Sequence, residues 1–141
     1  MSAAARRFSR LKTKEPEAHK NKKVLIVSSR VHPGESNASH IMKGFIDHVT
    51  GDTRDAKTIR KNFIVKIVPM LNPDGVIYGN YRTSLLGVDL NRRWLTPSRI
   101  LHPTIWHTKK MIKIMQESHI VEYYVDLHGH SRKKSAFMYG C

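Results

Sequence analysis

The sequence predicts an α/β fold with a mixed, mostly parallel sheet, and three observations predict it. Short, β-branched apolar runs recur at residues 24–27, 63–70 and 120–127. Segments with helical spacing separate them, over residues 36–50 and 103–118. The first and last runs each open into a polar turn at the strand's C-terminal end, where open α/β sheets place their ligands.

Taken in order, Val24, Leu25, Ile26 and Val27 read as a buried strand. The turn from Ser28 to Ser36 follows, with Pro33 biasing His32 towards an extended backbone and Gly34 free to adopt geometries other residues resist. Ile41, Phe45, Ile46 and Val49 mark the apolar face of a helix over 36–50. Residues 50–61 read as a polar, charged link, and the strand beginning at Phe63 ends around Pro69. The stretch from Leu71 to Arg99 is irregular, punctuated by Asn72-Pro73-Asp74-Gly75, Gly79-Asn80 and Gly87. A loop of that length carries function more often than it merely links, and this one is rich in aromatic and aliphatic residues. Pro103 suits the first turn of the next helix, whose apolar face holds Ile105, Met111, Ile112 and Met115, with Trp106 assigned to the core. The last strand runs into Asp126-Leu127-His128-Gly129-His130-Ser131. In a layered α/β arrangement the His32 and His128 turns emerge on the same edge.

At 141 residues and 40% hydrophobic composition, the chain is one domain at most, with enough apolar surface for a core. No run of eighteen apolar residues exists, so no membrane span is expected. The single cysteine, Cys141, excludes an internal disulfide and fits a reducing compartment. The formal net charge is +14, of which residues 1–23 carry eight basic and two acidic side chains. Residues 1–22 are expected to be a disordered basic tail, with residues 23–141 forming the folded part. The Arg-, Ser- and Ala-rich opening, without an acid before Glu15, also has the composition of a mitochondrial transit peptide, a minor alternative to a cytoplasmic location. The basic balance favours an anionic partner. Nucleic acid is not preferred, because no RNA-binding signature, zinc-finger spacing or helix-turn-helix pattern accompanies the charge.

The chemistry-bearing residues cluster at the turns. His32 and Glu35, three positions apart on one turn, can face one cation, and zinc takes both imidazole nitrogen and carboxylate oxygen. A catalytic zinc wants three protein ligands and an open position, which makes His128 the third. His130 competes for that place but falls on the opposite side if the strand continues. The remaining histidines (His19, His40, His48, His102, His107 and His119) are assigned to the surface. In the middle loop, Arg82, Asn91, Arg92 and Arg93 surround Gly87-Val88-Asp89-Leu90. A guanidinium beside an amide can grip a carboxylate bidentately, and a second arginine can stabilise an oxyanion. Asp89 can accept from the far nitrogen of a ligating histidine.

These motifs resemble, in order, those of the zinc metallocarboxypeptidases: His32-Pro33-Gly34-Glu35, Asn72-Pro73-Asp74-Gly75-Val76, Gly79-Asn80-Tyr81-Arg82, Gly87-Val88-Asp89-Leu90-Asn91-Arg92 and the His128 turn. The ending Phe137-Met138-Tyr139-Gly140-Cys141 resembles the cytosolic carboxypeptidase subfamily, which includes tubulin deglutamylases. The resemblance spans residues 23–141 and implies a three-layer fold, of which the chain holds the N-terminal part. It implies one zinc ion on His32, Glu35 and His128, with Asp89 orienting His32. It further implies that Arg82 polarises the scissile carbonyl and that Asn91 and Arg92 hold the substrate's C-terminal carboxylate. The partners it implies are acidic protein C-termini or polyglutamylated tails such as tubulin's.

Two features depart from the family. Its general-base glutamate lies well downstream of the third ligand, and no acidic residue follows His128 here; Glu117 and Glu122 lie upstream and do not fit the role. The N-terminal β-sandwich of cytosolic members has no counterpart. The chain is therefore expected to be a truncated catalytic domain, impaired in turnover and with an uncovered sheet edge. Three rivals remain. The related zinc acylases share His-x-x-Glu and Asp-Leu-Asn-Arg elements, but Pro33-Gly34 and the closing residues favour the peptidase. The others are a non-catalytic module that binds zinc or a C-terminal carboxylate, and a charge-driven polynucleotide binder.

Overall fold

The computed structural model describes residues 17–140. Most of the expected tail, its transit-peptide-like opening and Cys141 lie outside the described residues; Glu17–His19 form a single 3-10 turn. Strand β1 (Lys23–Ser29) lies between β2 (Phe63–Val68) and β3 (Val121–Leu127), giving a three-stranded sheet in the order β2-β1-β3. Both pairings are parallel, so the described sheet is the parallel part of the fold expected. β1 is the most deeply buried strand, with Val24, Ile26, Val27, Ser28 and Ser29 all inaccessible, as a central parallel strand covered on both faces should be. Between Val24 and Leu25 the β1–β3 register shifts, so that Val24 faces Val121 but Leu25 faces Tyr123. Side chains alternate along a strand, so this one-residue shift decides which β3 residues share a face with Ser28.

Helix α1 (Ser36–Thr50) lies on one face, where the Ser29 hydroxyl donates to Ala38 O at 3.0 Å. Its buried stripe is Ala38, Met42 and Val49, with Phe45 half-buried. Ile41, expected on that stripe, is 48% exposed. Residues 54–62, expected within a polar link, form helix α2 (Arg54–Asn62). The sequence carries its start and stop signals: Thr53 Oγ1 accepts from Ala56 N at 3.2 Å, Asp55 sits in the first turn, and Arg60 and Lys61 in the last. Only Ala56 is buried, so an apolar period was never there to read. Arg60 fastens α2 to the end of α1, donating to Val49 O and Gly51 O at 2.5 and 2.7 Å.

The opposite face is covered by the long middle stretch and helix α4 (Pro103–Gln116). Short helix α3 (Pro73–Ile77) opens this stretch, its Asn72 cap accepting from Gly75 N at 3.0 Å while its amide donates to Val31 O at 3.2 Å. Val31, Leu71, Leu90 and Ile105 form a buried cluster, with Val68, Val88 and Trp94 packed against it. The loop is therefore part of the core, as its aromatic and aliphatic content suggested. Two assignments change. Trp106 is only half-buried, set between Arg99 and Lys110 at 5.5 and 5.2 Å from its ring centre, where cation–π attraction replaces core packing. His102, expected at the surface, is buried because its Nδ1 accepts from Ser98 N at 3.0 Å at the start of α4.

Leu71 is fully buried in the cluster that anchors the middle loop. Leu71→Ala should cost about 2–5 kcal/mol, read as a lower urea midpoint. Leu101→Ala, at a side chain 51% exposed, should stay within about 0.5 kcal/mol. Equal midpoints for the two variants would show that the cluster does not hold the domain together.

Candidate metal centre

The first turn is shaped by contacts that leave its side chains little choice. Arg30 sits in the left-handed region at φ 58°, a strained position for a non-glycine residue. Its guanidinium braces the turn, donating to Pro33 O at 2.8 Å and Ser39 Oγ at 2.6 Å. Gly34 N donates to Tyr81 O at 2.7 Å, and a Cβ at Gly34 would lie 2.7 Å from that oxygen, so only glycine allows the approach. The chain then turns back so that Glu35 faces His32.

His32, Glu35 and His128 converge, each offering a ligand atom within 4.8 Å of the others. Glu35 Oε1 lies 2.8 Å from His32 Nδ1, and Oε2 lies 3.1 Å from His128 Nδ1. The two imidazole rings are 5.2 Å apart between centres. His130 does not join them: it is exposed, packs edge-on to Phe137 at 5.3 Å, and its Nδ1 accepts from the amides of Arg132 and Lys133.

Each imidazole has its other nitrogen on a carboxylate. His32 Nε2 is 3.2 Å from Asp89 Oδ1, and His128 Nε2 is 2.7 Å from Asp126 Oδ2. Such carboxylate partners fix the N–H on the outer nitrogen and leave the inner lone pair for a metal. Asp89 was legible in the sequence; Asp126 was not singled out, although its place two residues before His128 puts both side chains on one face of an extended strand. Asp89 is held in turn by Asn91 N at 2.8 Å and by Arg82, whose Nε donates to Oδ2 at 2.9 Å and whose Nη2 pairs with the same oxygen at 2.8 Å.

The electrostatics match this wiring. Burial pushes the Glu35 carboxyl up, but hydrogen bonds from His128, His32 and the Gly129 amide outweigh it and hold the group well below the usual range. At Asp89, burial is again outweighed, here by the Asn91 amide and the nearby His32 and Arg82 charges. The bonds to Asp126 and Glu35 raise His128 to about 9. With neutral imidazoles, the carboxylates of Glu35, Asp89 and Asp126 against one Arg82 guanidinium leave two net negative charges, the complement of a dication. Two imidazole nitrogens and a carboxylate oxygen are the donor set of a catalytic zinc.

The rest of the expected site borders this centre. Asn91 sits on a 3-10 turn (Leu90–Arg92), its side-chain oxygen accepting from Trp94 Nε1 at 3.1 Å. Arg92 ends that turn and is exposed, as is Arg93. Glu122, at the other end of β3, pairs with Lys23 at 3.0 Å. A shallow hollow lined by Asp52, Arg54, Lys57, Thr58 and Lys61 lies at the start of α2 and shares no residue with the centre.

Known proteins agree with the geometry. The profile of the zinc carboxypeptidase family matches residues 2–140. Mouse cytosolic carboxypeptidase 3 is 55% identical over 120 residues, covering 85% of this chain and 12% of that protein. Bovine cytosolic carboxypeptidase 3 is 53% identical over 128 residues, covering 91% and 13%. The chain thus spans only about an eighth of the length of these relatives. Among solved structures, a metallo-carboxypeptidase from Burkholderia cenocepacia superimposes with a TM-score of 0.73 at 30% identity, covering 82% of this chain and 31% of that one. One from Pseudomonas aeruginosa, in complex with (2-guanidinoethylmercapto)succinic acid, gives 0.70 at 32% identity, covering 83% and 30%. Motif order, sheet topology and the convergence of two turns on one set of metal donors thus coincide with these matches, and the chain belongs to the zinc carboxypeptidase family.

Proposed function

We propose that this chain is the metal-holding part of a zinc carboxypeptidase that removes C-terminal or side-chain-linked glutamate from acidic protein tails such as those of tubulin. The meeting of His32, Glu35 and His128 carries the reading. The names of the cytosolic relatives support the substrate class and a cytoplasmic location, and the dicarboxylate bound by one solved relative supports a site that takes carboxylates. His32 and His128 would hold the ion through the Nδ1 atoms that face Glu35, and Glu35 through its carboxylate. A zinc ion held there would supply Lewis-acid chemistry, activating water near neutral pH and polarising a carbonyl.

The chain's own residues do the rest. Arg82 has five N–H donors, and Asp89 engages only Nε and Nη2. The remaining donors stay available to an oxyanion while the ion pair fixes the guanidinium. Asn91 and Arg92 take the free C-terminal carboxylate of the substrate, and Asp89 holds His32 in one tautomer. Glu35, Asp89 and Asp126 have both oxygens engaged by neighbours, so none is a free base. General-base catalysis contributes about 10²- to 10⁴-fold, so these 141 residues by themselves bind such a tail far better than they cleave it. The engaged carboxylates therefore also favour a second reading, a module that binds zinc and a C-terminal carboxylate without turnover.

Metal analysis after dialysis should give one zinc per chain, lost in His32→Ala, Glu35→Ala and His128→Ala but kept in His130→Ala. Zinc retained by His128→Ala, or lost by His130→Ala, would sink the ligand assignment. Because His128 keeps its proton up to about 9 in the metal-free pocket, zinc must displace that proton at neutral pH. Apparent zinc affinity should therefore rise about tenfold per pH unit towards that value, and a chelator-competition titration that is flat with pH would contradict it. A glutamate-tailed peptide should bind the zinc-loaded chain, with Asn91→Ala and Arg92→Ala weakening the peptide and sparing the metal. Release of free glutamate at the rate of an intact carboxypeptidase would refute the impairment.

A further inference from the structure

The carboxylate behind His128 is itself held by one hydroxyl, which a second hydroxyl supports in turn. Ser28 Oγ donates to Asp126 Oδ1 at 2.6 Å, and Ser28 Oγ is 2.7 Å from the Tyr124 hydroxyl. A serine has one O–H. With that proton on Asp126, the Tyr124 O–H is the donor to Ser28. The order is therefore Tyr124 to Ser28, Ser28 to Asp126, and His128 Nε2–H to the other oxygen of Asp126.

The sheet explains how these residues meet. Tyr124, Asp126 and His128 alternate onto one side of the chain. The register pairs Ile26 with Tyr124 and Ser28 with Asp126, so Ser28 lies on the face that carries both partners. That pairing exists only because of the irregularity between Val24 and Leu25. Continued in step from Val24 and Val121, Ser28 would meet Val125, and the acid would turn to the other face. Bulges that re-aim a side chain beside a site are a known use of the feature. Packing restrains the far end, where the Tyr124 ring stands edge-on to Trp94 at 5.6 Å between centres.

We propose that Asp126, held by Ser28 and through it by Tyr124, is a positioning carboxylate that fixes His128 with its proton on Nε2 and its Nδ1 lone pair aimed at the metal. This rests on the zinc reading above. Asp126 touches neither metal nor substrate and acts only through His128. It is the counterpart of Asp89 at His32, so each imidazole has its own carboxylate. The two are supported differently: Asp89 by a guanidinium and a backbone amide, Asp126 by the neutral Ser28 hydroxyl.

The test is zinc affinity of the full chain by chelator competition, paired with cobalt as a spectroscopic stand-in. Loss of such a partner typically costs about 10- to 100-fold in metal affinity. Asp126→Ala should show that loss, and Asp126→Asn, which keeps an acceptor for Nε2–H, should recover part of it. Ser28→Ala and Tyr124→Phe should each weaken zinc several-fold. In the cobalt form the parent should show two exchangeable, paramagnetically shifted imidazole N–H signals. Only the His128 signal should broaden or vanish in Asp126→Ala, a change that general loosening would not confine to one ring. If Asp126→Ala fails to fold, the two hydroxyl variants decide, and parent-like affinity in both overturns the relay. A parent that binds zinc beside an Asp126→Ala chain that binds it equally well overturns the relay alone. A parent that takes up no metal overturns the zinc reading and this proposal with it.

Discussion

The Glu35 carboxylate is the contact on which the site depends. One oxygen meets His32 on its own turn; the other meets His128 and the Gly129 amide, 94 residues along the chain. Glu35 occupies the N-cap position of α1 yet makes no cap hydrogen bond from its side chain. A cap is worth about 1 kcal/mol, whereas each charge-assisted hydrogen bond is worth about 1.5–3 kcal/mol. The exchange favours the site over the helix end. Gly129 permits it, since a Cβ there would lie 2.6 Å from Asn37 Oδ1 and 3.2 Å from Glu35 Cγ. The approach of the two turns thus requires both a carboxylate on the first and a missing side chain on the second.

The central strand, the helix opening at Pro103 and the pairing of His32 with Glu35 were legible because each is a local signal: a β-branched run, a proline at a first turn, a histidine and an acid three apart. Helix α2 was missed because it is held by capping and by Arg60 on backbone oxygens, and periodicity registers neither. Ile41 was assigned to the wrong side of α1 because Ala38 and Met42, smaller or less regular signals, set the buried stripe. The tie between Asp126 and Ser28 escaped notice because it depends on a register shift between strands about a hundred residues apart, which no single stretch encodes. His102 was misplaced for a related reason: what buries it is one backbone amide in a loop.

Charge operates here at two ranges. The chain carries +14 overall, yet the groups around the three ligand residues are net negative. Surface charges beyond about 8 Å are largely screened at physiological ionic strength. The charges in direct contact with the centre are those of Asp89, Asp126 and Arg82. An acidic interior suits a dication while the exterior stays basic, and neither requirement spoils the other. Arg82 joins the two ranges, half-exposed on one side and paired with Asp89 on the other.

The two halves of the centre are not held equally. His32 follows the buried central strand, and its side chain is only 5% exposed, so packing fixes it before any hydrogen bond is counted. His128 follows β3, an edge strand in the described sheet whose Tyr123, Tyr124 and Val125 are substantially exposed, and its own side chain is 31% exposed. Packing contributes less there, so the position of that imidazole rests on its bonds to Glu35 and Asp126. Edge strands are also the parts of a sheet most open to local fluctuation and to pairing with other chains. A metal bridging the two imidazoles would tie the more exposed side to the buried one, making the ion a structural link between β3 and the central strand. The hydroxyls of Ser28 and Tyr124 reach across the same gap from the sheet, on the side away from the metal, and brace β3 against β1 where the core no longer does.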